Sequence, residues 1–117
     1  MDKIVLNNGF EIKDGVISQD GPKRVLVIIP EKDIVQAALL FGDSEKTKVM
    51  VFYTSVYKYT YTGYDTINSM SVDSDRHKTL IYLSGEDTHI EHEYTVPEIY
   101  LPEEMRTTSS VEVNENA

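Results

Sequence analysis

The run Lys23-Arg24-Val25-Leu26-Val27-Ile28-Ile29-Pro30, continued by Glu31-Lys32-Asp33-Ile34-Val35-Gln36-Ala37-Ala38-Leu39-Leu40-Phe41-Gly42, decides the fold class of this chain. Val25 to Ile29 are apolar without alternation, which predicts a central strand covered on both faces. Pro30 ends that strand. Glu31 and Asp33 then place negative charge in a first helical turn, where the helix dipole favours it. Ile34, Ala37, Ala38 and Phe41 recur at helical spacing, Val35, Leu39 and Leu40 widen the stripe, and Gly42 suits the position after a last turn. The expectation is a helix over residues 31–41 whose wide apolar face packs on a sheet.

Outward from this pair the pattern is β. Lys3 to Leu6, the turn Asn7-Asn8-Gly9 and Phe10 to Lys13 read as a hairpin over residues 3–13, because Asn and Gly tolerate positive φ. Asp14-Gly15 precedes Val16-Ile17-Ser18, and Asp20-Gly21-Pro22 turns the chain into the central strand. Beyond Asp43-Ser44-Glu45, Val49, Val51 and Tyr53 alternate with Met50, Phe52 and Thr54. After the turn Thr54-Ser55-Val56, Tyr57, Tyr59 and Tyr61 alternate with Lys58, Thr60 and Thr62. Gly63 breaks the run before Tyr64 to Val72. Asp73-Ser74-Asp75 is a polar loop, His77 to Leu83 a strand, Ser84 to Asp87 a turn, and His89 to Val96 a last strand ended by Pro97. The expected class is α+β, mainly β: a small antiparallel β-sandwich or barrel with one α-helix. Residues 1–104 form a single domain in this reading. Residues 105–117 form a polar tail too poor in apolar side chains to offset its own ordering entropy.

The charge narrows the function classes. Of 117 residues 20 are acidic and 11 basic, for a net charge of −9, and none is cysteine. A disulfide framework, a thiolate metal site and a cysteine nucleophile are thereby excluded. The acidity argues against general affinity for nucleic acid or an anionic membrane, which basic surfaces supply. It is also uneven, because residues 83–117 hold nine of the acids and a single base, Arg106. Apolar runs such as Val25 to Ile29 fall far short of the roughly 20 residues that span a bilayer. The opening Met-Asp-Lys-Ile-Val-Leu is too short and too charged for a secretory leader, so a soluble protein made in a cytoplasm is expected.

Catalytic and metal chemistry find little support. His89-Ile90-Glu91-His92-Glu93 has metal-ligand residue types, but on a strand His89, Glu91 and Glu93 share one face and His92 takes the other. Asp73-Ser74-Asp75 lacks the glycine and downstream glutamate of a calcium loop. There is no phosphate-binding glycine loop and no Gly-x-Ser-x-Gly elbow. Neither an enzyme, a metal nor a cofactor is expected.

The tyrosines are the skewed feature. There are eight with no tryptophan, and Tyr57, Tyr59, Tyr61 and Tyr64 fall within eight residues. Packed into a strand pair, they would bury their rings and leave hydroxyls at the rim. As a surface they would form a protein contact, since tyrosine is enriched at interfaces. A base-stacking platform needs more nearby cations than Lys58. In the tail Val111 and Val113 alternate with Glu112, so this arm is a candidate strand for an exposed sheet edge.

Several segments, in order, resemble a loose group of small virion-associated and tail-region proteins of phages and prophages of Gram-positive bacteria. Ile4-Val5-Leu6-Asn7-Asn8-Gly9 is similar to their opening strand and turn, and Leu39-Leu40-Phe41-Gly42-Asp43 with Thr47-Lys48-Val49 to their helix end and next strand. Tyr59-Thr60-Tyr61-Thr62-Gly63-Tyr64 and Thr79-Leu80-Ile81-Tyr82-Leu83 resemble two later strands. The resemblance covers residues 3–83, and Pro97 to Pro102 and the tail have no counterpart in it. It implies a structural protein of the virion, assembled in the host cytoplasm, whose partners are other virion proteins and further copies of itself. Tyr57, Tyr59, Tyr61, Tyr64, Val111 and Val113 are the expected contacts. The alternative is an acidic inhibitor of a host nucleic-acid-binding or defence protein, with Glu86, Asp87, Glu91, Glu93, Glu98, Glu103 and Glu104 standing where phosphates would lie.

Overall fold

Alternating side chains along short strands need two layers to bury one face of each, and this chain builds them as two antiparallel sheets. The computed structural model describes residues 2–95. In chain order the elements are β1 (Lys3–Val5), β2 (Glu11–Lys13), β3 (Val16–Gln19), β4 (Arg24–Pro30), α1 (Ile34–Phe41), α2 (Ser44–Thr47), β5 (Val49–Tyr53), β6 (Tyr57–Thr62), β7 (Thr66–Asp73), β8 (Lys78–Ser84) and β9 (His89–Tyr94). A five-stranded sheet has the order β2-β1-β5-β6-β9, and a four-stranded sheet the order β3-β4-β8-β7. The fold is thus mainly β and sandwich-like, with two short helices. The expected contacts Val111 and Val113, with Val96, Pro97 and the tail, lie outside the described residues.

The core follows from the register. Ile12, Ile4, Phe52 and Tyr59 stand in one row across the five-stranded sheet, and Met50 and Tyr61 in the next. Opposite them Ile17, Val27 and Ile81 form a row of the four-stranded sheet, flanked by Val25 with Leu83 and by Ile29. Apart from Tyr59, which packs against them partly exposed, these side chains are buried together with Leu6, Phe41 and Tyr64. The hairpin over residues 3–13 forms as expected, with Ile4 paired to Ile12 and Gly9 at φ 88° in its turn.

Several expectations are corrected. The helix starts at Ile34 rather than residue 31, because the Asp33 side chain accepts a hydrogen bond from the Gln36 backbone N–H at 2.8 Å and makes Asp33 the N-cap. The sequence predicts one helix, and a short second one forms at Ser44–Thr47, where Asp43 caps it by accepting from Glu45 N. Tyr64 precedes β7 instead of opening it, and His77, with φ of 57°, sits in the turn before β8.

The largest correction concerns β4. Its composition predicts cover on both faces, yet only Val25, Val27 and Ile29 are fully buried. Leu26 and Ile28 point to the outside of the four-stranded sheet and keep part of their surface exposed. The helix likewise buries only part of its stripe. Ala37 and Phe41 are buried, while Val35 and Leu39 remain 70% and 66% exposed.

The chain passes from one sheet to the other after β6 and returns after β8, and these crossings touch. A Cβ on Gly85 would collide with the Gly63 carbonyl oxygen, and one on Gly63 with the carbonyl oxygen of Asp87. Gly63 also has φ of +87°, a region that L side chains rarely adopt.

Candidate protein-binding surface

The period-2 tyrosines of β6 all fall on the face turned toward the four-stranded sheet, as alternation requires. Pairing continues that face onto β9, where Tyr57 stands opposite Tyr94, Tyr59 opposite His92 and Tyr61 opposite Ile90. Thr54 sets the entry to this strand, its hydroxyl accepting from the backbone N–H of Tyr57 at 2.9 Å.

The rings form a continuous ladder from core to surface. Tyr64 meets Tyr61 edge-on with centroids 6.1 Å apart, and Tyr61 leads to Tyr59 at 6.4 Å. Tyr59 contacts Phe52, Tyr57 and His92 at 5.9, 5.5 and 5.8 Å. Tyr57 stacks on Tyr94 at 5.0 Å. These separations lie in the attractive range for aromatic pairs.

The four candidate tyrosines therefore divide. Tyr61 and Tyr64 are core residues, 4% and 2% exposed, and the Tyr61 hydroxyl donates a long 3.4 Å hydrogen bond to the Ile17 carbonyl. Tyr59 packs against the core with part of its ring open, and Tyr57 lies beyond it. Only Tyr57 and Tyr59 retain area for a partner. Tyr94 and His92 join them, although the tyrosine count alone did not single them out. The signal was available in the alternation of Ile90, His92 and Tyr94.

The hydroxyls of Tyr57, Tyr59 and Tyr61 hold their protons more tightly than a free tyrosine does. The hydrogen bond to Tyr94, with partial burial, pushes the Tyr57 hydroxyl up to about 12. Burial, with Tyr59 and Tyr64 nearby, pushes Tyr61 up to about 12 as well, and burial raises Tyr59. Such a surface offers ring faces and protonated hydroxyls, which suit apolar contact with hydrogen bonding at its margin.

The outer face of the same sheet is different in kind. Lys58 pairs with Glu93 at 3.6 Å, His89 with Glu91 at 3.0 Å, and Lys3 with Glu11 at 3.4 Å. Two of the acidic candidates, Glu91 and Glu93, thus have partners, while Glu86 and Asp87 are exposed in the loop before β9. Glu98, Glu103 and Glu104 lie outside the described residues. Among the described residues no three histidine or carboxylate side chains gather as a metal site would require, and no helix is long and apolar enough to cross a membrane.

No protein-family model matches this chain, no curated protein matches it, and no solved structure matches it.

Proposed function

We propose that this chain is a non-enzymatic structural or assembly protein of a phage particle, in the tail, baseplate or another part of the virion. It acts through contacts with itself and with other virion proteins, and it assembles in the bacterial host cytoplasm. The observation that carries the reading is the aromatic ladder, which leaves the core at Tyr59 and ends at the surface with Tyr57, His92 and Tyr94. Rigid rings at low entropic cost are what protein interfaces enrich. The open stripe of α1 at Val35 and Leu39 supports the same reading, since a helix apolar all round is ordinarily covered. The phage setting rests on the resemblance over residues 3–83.

The alternative, an acidic inhibitor shaped like a phosphate chain, draws less support, because Glu91 and Glu93 already pair with His89 and Lys58. Quantitative mass spectrometry of purified particles tests the proposal. The chain is expected at a fixed copy number per particle, and that number falls when Tyr57 and Tyr59 are both changed to Ser. Absence from particles, with recovery on a basic host protein, would overturn it in favour of the inhibitor.

A further inference from the structure

The two outer faces of the sandwich differ in where their charge lies. Outside the five-stranded sheet, Lys13, Lys3, Tyr53, Lys58 and Glu93 lie along one row, and Glu11, Val5, Val51, Thr60 and Glu91 along the next. Charged side chains thus run through the middle of the first row and flank the valines of the second. Outside the four-stranded sheet, Val16, Ile28, Leu80 and Ser71 form one row, and Ser18, Leu26, Tyr82 and Ser69 the next. Apolar side chains fill its centre and reach one edge at Val16, serine occupies the rest of its margins, and the charges sit at the strand ends. The helices lie against β7 and β5 and leave this face open among the described residues.

We infer that this open face is a self-association surface, and that a second copy of the chain covers it across a two-fold axis. Three observations select a second copy. The sequence of β4 is written for burial on both faces, and among the described residues the fold supplies one cover only. The face is also compatible with its own image in charge. At one end Arg24 pairs with Asp20 at 3.0 Å and lies 5.8 Å from the Tyr82 ring, and at the other Lys78 stands opposite Asp73. A chain of net charge −9 therefore meets its copy here without an unpaired carboxylate in the centre. Finally the area suffices. Strands of four, seven, seven and eight residues, about 4.8 Å apart with a rise of about 3.4 Å per residue, give roughly 420 Å² in projection, so two stacked faces remove on the order of 1,000 Å², where specific interfaces begin. Tyr82 and Arg24 at the centre and end are the residue types that carry interface energy.

The inference rests on the assembly reading only in taking the partner to be this chain, and it uses a different face from the tyrosine ladder. The chain has no cysteine, so Ser71→Cys puts a single thiol on the face and Thr60→Cys a control thiol on the outside of the other sheet. With a short bismaleimide, the full chain carrying S71C is expected to give covalent dimer at least tenfold faster than T60C. Leu26→Thr with Leu80→Thr, residues suited to strands, is expected to raise the dimer dissociation constant at least 100-fold. Circular dichroism checks the fold of that variant, and the S71C comparison stands without it. Equal or absent cross-linking of the two thiols overturns the inference. So does a dimer that survives L26T/L80T and dissociates on Tyr57→Ser, which would leave the assembly reading standing on the ladder alone.

Discussion

Leu26 on β4 and Tyr82 on β8 stand directly opposite each other on the outside of the four-stranded sheet, while their neighbours Val27 and Ile81 are fully buried on the inside. One ladder thus carries two apolar faces with different fates in the monomer. The stability of the two faces should differ accordingly. In urea titrations at concentrations dilute enough to keep the chain monomeric, Leu26→Thr is expected to cost less than about 1 kcal/mol, as outward substitutions do. Val27→Thr buries a hydroxyl in a core of apolar partners and is expected to cost about 2 kcal/mol or more. Equal costs would mean that the outward face is covered within the single chain.

Gly85→Ala tests the crossing of the two sheets. The added methyl meets the Gly63 carbonyl, which is backbone and cannot swing aside. A loss of about 2–4 kcal/mol is expected from thermal or urea unfolding, against a fraction of that for Gly9→Ala, where a Cβ meets nothing within 4 Å and only the positive φ opposes it.

Thr79 anchors the connection from β4 to α1. It is fully buried, its hydroxyl accepts from the Lys32 N–H at 2.7 Å, and the same hydroxyl donates to the Lys32 carbonyl at 2.8 Å. Thr79→Val keeps the shape and removes both bonds, leaving two backbone groups unpaired. A loss of about 1–3 kcal/mol is expected. Amide exchange at Lys32 should accelerate more than exchange in β8.

Alkaline pH should loosen the core through Tyr61. Burial holds its folded hydroxyl up at about 12 against an ordinary value near 10, so the folded state keeps a proton that the unfolded state releases. Stability is therefore fully present below about pH 10 and falls as pH rises toward 12, by about 2 kcal/mol from this residue. Tyr61→Phe is expected to flatten that fall in unfolding titrations. In absorbance titration, Tyr57 and Tyr61 should ionise near 12, above the ordinary tyrosine value of about 10.

Local chemistry explains which features could be read before the structure. The Asn7-Asn8-Gly9 hairpin and the alternation of β5 and β6 are short-range signals, and the sheets formed where they placed strands. The run Val25 to Ile29 was harder, because composition reports how apolar a strand is and does not report who covers it. The four tyrosines illustrate the same limit. Their spacing put Tyr57, Tyr59 and Tyr61 on one face, but which of them emerge from the core depends on where the opposite sheet ends. That is set by the pairing of segments far apart in sequence. His92 and Tyr94 reach the ladder only because β9 pairs with β6.

A chain that works by associating should do so in sedimentation velocity of the full chain across about 1–300 µM. The expected result is a concentration-dependent shift from monomer to dimer or a larger symmetric species, displaced to higher concentration by L26T/L80T. A sedimentation coefficient that stays at the monomer value over the whole range, with the variant indistinguishable from it, would overturn both the assembly reading and the two-fold contact.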